Sequence, residues 1–296
     1  MKINKKLLVL AAAGVFIAFS ADYSIAQTAE VSAEKSNDIK IETQKIPEIK
    51  VGTVVSDFSR VSEETTKKIL KKSFNCDAEK VVYVDSINGC LTILKSGKAD
   101  SVLATDISAD YIIKRNQDIK SIVLDKKLAI VMVLRKSDDK LRDSLDSAID
   151  KIKKSGKYDE LYKNHITDLP VGQEPSVTKV EKIPDAETIY IGINGNLPPL
   201  DYIAADGKPA GFNVAFISEI SKLIGKNIEI ISLDSSARLT ALEAKKIDIF
   251  FWTFMPENKA GREKFRAENP EEEAFNKKFI TSGPYCFFKP AFLLKK

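Results

Sequence analysis

The chain has 296 residues, with 46 Lys and Arg against 42 Asp and Glu and a formal net charge of +4. The charges are interspersed, so nothing in it resembles the one-sided basic stripe that nucleic-acid binding requires. A single histidine, and three cysteines (Cys76, Cys90 and Cys286) whose spacing fits no zinc pattern, speak against a metal centre and against Ser-His-Asp or Cys-His catalysis.

The first element is a secretory signal. Lys2, Lys5 and Lys6 precede an apolar run from Leu7 to Ala21, and Ser24-Ile25-Ala26 offers a small-x-small cleavage site before Gln27. That run is shorter than the roughly 20 residues of a membrane-spanning helix, although an uncleaved single-span anchor stands as the alternative. No cysteine lies near the site, which argues against a lipid anchor. Residues 1–26 are therefore expected to be removed and the mature protein to lie in the periplasm or outside the cell. Residues 27–47, rich in Ala, Glu, Ser, Lys and Thr, suit a disordered leader.

The first ordered segment predicts strand and helix in turn. Strand-like IKVGTVV from Ile49 leads to a helix capped by Ser62, a strand over Lys80–Ser86, a helix from Ile87 closed by Gly97, and the apolar strand SVLATD over Ser101–Asp106. A helix over Ala109–Asp118 follows, then strands over Ile119–Asp125 and Leu128–Lys136, then two helices between Ser137 and Ile166. His165, in the charged Lys-Asn-His end of the last helix, reads as a surface residue. The odd cysteine count allows at most one internal bridge, with Cys76 to Cys90 the preferred pair.

Pro170, Gly172, Pro175 and Pro184 make residues 169–186 a linker. Beyond it the alternation resumes: a strand over Thr188–Asn194, a Pro-Pro turn, a helix over Phe212–Gly225, a strand from Ile228, a helix over Ser236–Lys246, and a strand over Ile247–Phe254. An irregular charged stretch then leads to the extended FITSGPYCFFKPAFLLKK. The expected class is α/β, with mostly parallel sheets flanked by helices. Ligands of such sheets bind outside the carboxyl ends of the strands, which selects Val55–Ser59, Thr105-Asp106, Asn194–Pro199 and Thr253–Pro256.

The string IYIGINGNLPPLDYIAADGKPAGFNVAFISEISKLIG resembles the opening of the periplasmic amino-acid-binding proteins, the family-3 extracellular solute-binding proteins of ABC importers. ALEAKKID and SGPY continue the likeness, whereas ILKSGKADSVLATD and DSAIDKIKKSGKYDELYKNHI resemble the other half of the same family. That resemblance implies a two-lobed fold with a cleft between the lobes. The halves stand in reversed order and each occurs once, which points to a circular permutation broken at the hinge; a tandem array truncated at both ends is the alternative. On this view residues 48–128 form the family's second-type lobe. Residues 129–168 supply a return strand and closing helices that pack on the other lobe, and 187–296 form the first-type lobe, ending in a hinge strand.

Site residues follow from the resemblance. Asp106 occupies the place of the aspartate that pairs with the ligand's α-ammonium, or else caps the helix at Ser108. Asn258 stands where the carboxylate-gripping arginine belongs, and Arg262 either substitutes for it or is an ordinary solvated arginine. Ser56, Asp57 and Phe58 correspond to a Gly-Thr-Thr turn, and Asp57 there would repel an anion. Asn194 and Thr253 lie at strand ends, while Trp252 and Tyr285 read as walls of the site or as core. Leu197, Leu200 and Ser235 replace aromatics, so a standard amino acid is not the expected ligand. The function implied is capture of a small polar or amine-bearing solute by a monomer that closes about a hinge, without cofactor or metal, for the membrane subunits of an ABC importer. Two other readings are a sensor or degenerate scaffold without a transport role, and a cleft enzyme such as a cyclic-acid dehydratase using Asp57 and Asp106.

Overall fold

A computed structural model describes residues 49–56, 63–74, 76–84, 86–124, 127–175, 177–268 and 270–296. The signal sequence, the leader and Asp57 lie outside the described residues, as do the side chains of Ser56 and Cys76.

Two five-stranded paths and one small sheet organise the chain. In the leading lobe the order is β2 (Cys76–Tyr83), β1 (Ile49–Ser56), β3 (Ser101–Thr105), β14 (Pro290–Lys295), β4 (Ile119–Val123). In the trailing lobe it is β10 (Asn227–Ser232), β6 (Thr188–Ile193), β11 (Ile249–Pro256), β5 (Leu128–Arg135), β12 (Phe279–Thr281), with β13 (Cys286–Phe288) also paired to β5. The two paths match strand for strand. β1 runs parallel to β2 and β3, and β6 runs parallel to β10 and β11. The fourth strand is antiparallel in each, and each is donated by the other part of the chain: β14 enters the leading sheet and β5 the trailing one.

The two crossings lie side by side. Leu128 faces Phe288 where β5 meets β13, and Ala291 faces Val123 where β14 meets β4. Leu124 N–H donates to the Pro290 carbonyl at 2.8 Å, and Asp106 N–H to the Lys289 carbonyl at 2.7 Å. The expected hinge strand thus continues past the crossing, with Cys286–Phe288 in one sheet and Pro290–Lys295 in the other.

Helices cover the trailing sheet through α6 (Phe212–Ile224), against which α4 (Asp139–Lys154) and α5 (Lys157–Tyr162) pack. Aromatic rings fill this interface. Tyr158 meets Phe212 and Phe216 edge-on, Phe216 stacks on Tyr285 at 5.3 Å, and Tyr285 meets Phe251 at 5.1 Å. Each such pair adds about 0.5–1.5 kcal/mol beyond the area it buries.

The start of α6 depends on Gly211, at φ 105°: a Cβ there would stand 2.6 Å from the Leu200 carbonyl oxygen. The close approach lets the carbonyls of Pro199 and Leu200 accept the N–H groups of Phe212 and Asn213 at 3.0 and 2.8 Å, in place of a side-chain cap. A three-stranded ribbon of β7 (Asn196–Leu197), β8 (Asp201–Ile203) and β9 (Pro209–Ala210) leads into this turn.

His165 differs from the sequence expectation. It is 6% exposed, in a π-helical turn over Lys163–Thr167, four residues after buried Leu161 and on the same face, so it packs inward although its neighbours are charged. Burial lowers its pKa below 6.5. Cys90 and Cys286 are both buried. Among the described residues no helix is long and apolar enough to cross a membrane.

Candidate functional site

The carboxyl ends of β3, β6 and β11 carry the candidate residues. At the end of β3, Thr105 Oγ1 accepts the Ser108 N–H at 3.0 Å and caps α3 (Asp106–Ile113). Capping therefore belongs to Thr105. Asp106, the first residue of the helix, accepts the amide of Ile107 through its side chain at 2.9 Å. It is half-buried, and burial raises its pKa above 3.8 against the opposing pull of backbone amides and of Lys289. Tyr162, from the closing helix of the other lobe, lies within its electrostatic reach. Asp106 is thus a carboxylate at the seam of the lobes whose surroundings only partly compensate its charge.

Across the seam, Asn194 follows β6 and is 2% exposed. Its Nδ2 donates to Ser235 Oγ at 3.1 Å, while its Oδ1 is buried with no hydrogen-bond partner among the described residues. Ser235 also receives Arg238 Nη2 at 3.1 Å. Arg238 opens α7 (Arg238–Glu243), is 7% exposed, and lies over the Phe250 ring at 5.1 Å.

Behind these groups lies a fully buried carboxylate, Asp201. It accepts from Gly195 N–H at 2.9 Å, Asn213 Nδ2 at 2.8 Å and Trp252 Nε1 at 3.1 Å. The Tyr285 hydroxyl in turn donates to Asn213 Oδ1 at 3.1 Å. Burial raises the Asp201 pKa, and the three donors together with Arg238 oppose that shift. Trp252 and Tyr285 are therefore joined in one polar network, and both rings are buried, at 2% and 0% exposure. Trp252 sits at φ 124°, where the pairing of β11 with β5 slips by a residue, and the bulge turns its indole toward Asp201. Thr253 follows it, also buried.

Asn258 and Arg262 serve the next turn. Asn258 Oδ1 accepts Gly261 N–H at 2.7 Å at the start of α8 (Lys259–Glu268). Arg262 Nη1 donates to the carbonyls of Glu257 at 3.0 Å and Pro256 at 3.4 Å. Ser56 ends β1, beside β3, the strand that Asp106 follows.

Sequence reasoning missed Asp201 and Arg238. For Arg238 a signal existed: Ala241 and Leu242, three and four residues on, are buried, which puts the arginine on the inward face of its helix. Asp201 has no such periodicity, since its donors come from the turn before it, from α6 and from β11 rather than from one element.

Comparison with known proteins follows the same division. The L-cystine-binding protein TcyJ of Escherichia coli strain K12 is 29% identical over 70 residues, which is 24% of this chain and 26% of that protein. The same protein from Escherichia coli O6:H1 matches equally. The chain spans about a quarter of the length of these curated relatives. Among solved structures, the zinc-bound ligand-binding component of an ABC-type import system from Staphylococcus aureus aligns over 83% of this chain and 66% of its own, at 12% identity and a TM-score of 0.40. The P235GK mutant of ArgBP from T. maritima aligns over 83% and 82%, at 12% identity and a TM-score of 0.37. The model of the bacterial extracellular solute-binding proteins, family 3, matches residues 15–168 and 189–282, and the chain belongs to that family.

Proposed function

We propose that this solute-binding protein is exported, captures a small amine-bearing polar solute between its lobes as a monomer, and delivers it to an ABC importer by closing about the paired crossings. The observation that carries the reading is Asp106, a half-buried carboxylate at the seam whose pKa burial holds up despite Lys289. A ligand ammonium would supply the missing charge and donors. The buried Oδ1 of Asn194, without a hydrogen-bond partner among the described residues, is a second acceptor, on the trailing lobe. Two acceptors favour a donor-rich solute, the chemistry shared by amino acids, polyamines and the L-cystine named for the relative. Closure needs only a solute that binds the closed state better than the open one. We read the order of the halves as a circular permutation, supported by the single two-lobed unit that the exchanged strands β5 and β14 complete.

Thermal unfolding against a panel of amino acids, cystine, polyamines and short peptides tests this. A solute at 100 times its dissociation constant adds about 2.7 kcal/mol and a clear rise in Tm. Asp106→Asn should weaken that solute about 10- to 100-fold, as expected for a lost hydrogen bond to a charged group. Protein recovered outside the cytoplasm should begin at Gln27. No rise with any solute, in a sample that unfolds cooperatively, would favour a second reading: a scaffold or sensor partner without transport. One observation leans that way, since Asn258 caps a helix and Arg262 binds turn carbonyls where the family holds a carboxylate-gripping arginine.

A further inference from the structure

The segment that joins the closing helices to β6 begins and ends on the trailing lobe, yet it grips the leading one. At its start Asp168 N–H returns to the Lys163 carbonyl at 2.8 Å. At its end Asn227 of β10 binds the N–H of Ile183 at 2.8 Å and the carbonyls of Ile183 and Ala186 at 2.9 and 3.0 Å. Between these anchors Gln173 N–H reaches the Pro170 carbonyl at 3.1 Å, and Gly172, at φ 84°, holds the third position of the turn, where a positive φ is needed.

Both carbonyls flanking that turn accept from one guanidinium. Arg115 Nη2 donates to Pro170 O at 3.4 Å and to Gln173 O. Arg115 lies just beyond α3, in the leading lobe, with its guanidinium 3.6 Å from the centre of the Tyr111 ring and its Nη1 bonded to the Tyr111 carbonyl at 3.1 Å. Two residues past Gln173, the carbonyl of buried Pro175 accepts the hydroxyl of Tyr202, on β8 of the trailing lobe, at 2.7 Å. Tyr202 thus pins the segment to one lobe while Arg115 pins it to the other. Glu174 sits in the same knot: after burial, its charge is among the causes that raise the pKa of both Tyr111 and Tyr202.

We propose that residues 170–175 form a clasp that holds the two lobes together before any solute binds. The covalent crossings at 123–128 and 288–291 act as a hinge, which permits rotation. The clasp is the opposite kind of link: any rotation that parts the lobes carries Arg115 away from carbonyls anchored on the other side. A chain so fastened rests largely closed and raises the apparent affinity of a solute that prefers the closed state. Opening, and with it solute entry, then requires release of the Arg115 fork.

The test needs no ligand and so stands apart from the solute reading. Dyes are placed by click chemistry at exposed Lys98 and Glu229, one on each lobe, and single-molecule energy transfer reports the open and closed populations of the ligand-free protein. The intact protein should be mainly closed. Arg115→Ala should raise the open-to-closed ratio about 10- to 100-fold, and Tyr202→Phe, which keeps the ring and its packing, about 2- to 10-fold. Arg115→Lys, with its charge kept and its fork lost, should fall between intact protein and Arg115→Ala. A mainly open intact protein overturns the proposal. So do unchanged populations in Arg115→Ala and Tyr202→Phe samples that unfold at the parent's midpoint.

Discussion

In the leading lobe the third strand, β3, buries Ser101, Val102, Leu103, Ala104 and Thr105; its counterpart in the trailing lobe, β11, buries Phe250, Phe251, Trp252, Thr253 and Phe254. Strand order and direction are the same in both sheets, but the interiors are not. The trailing lobe locks its strands with stacked rings and a fully buried carboxylate that has three donors. The leading lobe packs mostly aliphatic side chains and leaves its informative carboxylate, Asp106, half-buried at the edge, where burial outweighs the backbone amides and Lys289 around it. A shared topology therefore fixes where strands lie without fixing where charge goes. One lobe answers its buried carboxylate with donors of its own, and the other leaves the charge of its carboxylate only partly compensated.

Four changes would break or sharpen that contrast. Asp201→Ala should be the most damaging. It strands the N–H groups of Gly195, Asn213 and Trp252 inside the trailing lobe, at about 1–3 kcal/mol for each buried group left without a partner. A loss of about 3 kcal/mol or more is expected in urea unfolding, with Tm down by about 6–12 °C; a loss below 1 kcal/mol would remove the claim that this network locks the lobe. Asp106 should show the reverse balance, with little stability lost but binding tied to its ionisation. Pairing with an ammonium needs the carboxylate, and burial raises its pKa above 3.8, so affinity should be full at neutral pH and fall, on acidification, at a higher pH than an ordinary aspartate would give. Titrating affinity against pH in the parent and in Asp106→Asn, where that acid limb should vanish, checks the assignment.

A smaller cost is expected in the leading lobe from Thr105→Ala, which removes the cap of α3: about 1 kcal/mol in the same unfolding assay. Equal losses for Thr105→Ala and Asp201→Ala would erase the contrast between the lobes. The mildest effect concerns the closing helices. Burial holds the native His165 pKa below 6.5, whereas the unfolded chain takes up its proton near 6.5. The stability that depends on a neutral imidazole is therefore complete above that pH and declines as the pH drops toward the native pKa. The stability of the parent relative to His165→Leu should accordingly fall on going from pH 7.5 to pH 5, and a constant difference would refute the linkage.

Much of the architecture could be read from the chain. Alternating strand and helix patterns, the helix from Phe212 and the Thr105-Asp106 strand end all depend on local periodicity or turn chemistry, and the structure has them in place. The insertion of β14 could not be read, because nothing in Ala-Phe-Leu-Leu says that it lies between β3 and β4 rather than beside β13. Pairing partners are a property of the whole sheet. His165 misled because its charged neighbours in sequence face away from it, and the informative residue was Leu161, one helical turn earlier. The role of Asn258 was hidden by its alignment with an arginine: at the mouth of a helix an asparagine's oxygen is claimed by the nearest amides, whatever a relative carries there.

The exchanged strands also order events in time. A ribosome makes β3 and β4 first, and the strand that belongs between them, Pro290–Lys295, only after the residues from Leu124 to Lys289. Until then the leading sheet has a gap one strand wide, and its most buried neighbours, Val102 and Leu103, lack the partners Phe292 and Leu293 that register with them. Such distant pairing slows folding. The leading sheet thus stays unfinished, and the chain free to be handled by other machinery, until β14 has been made.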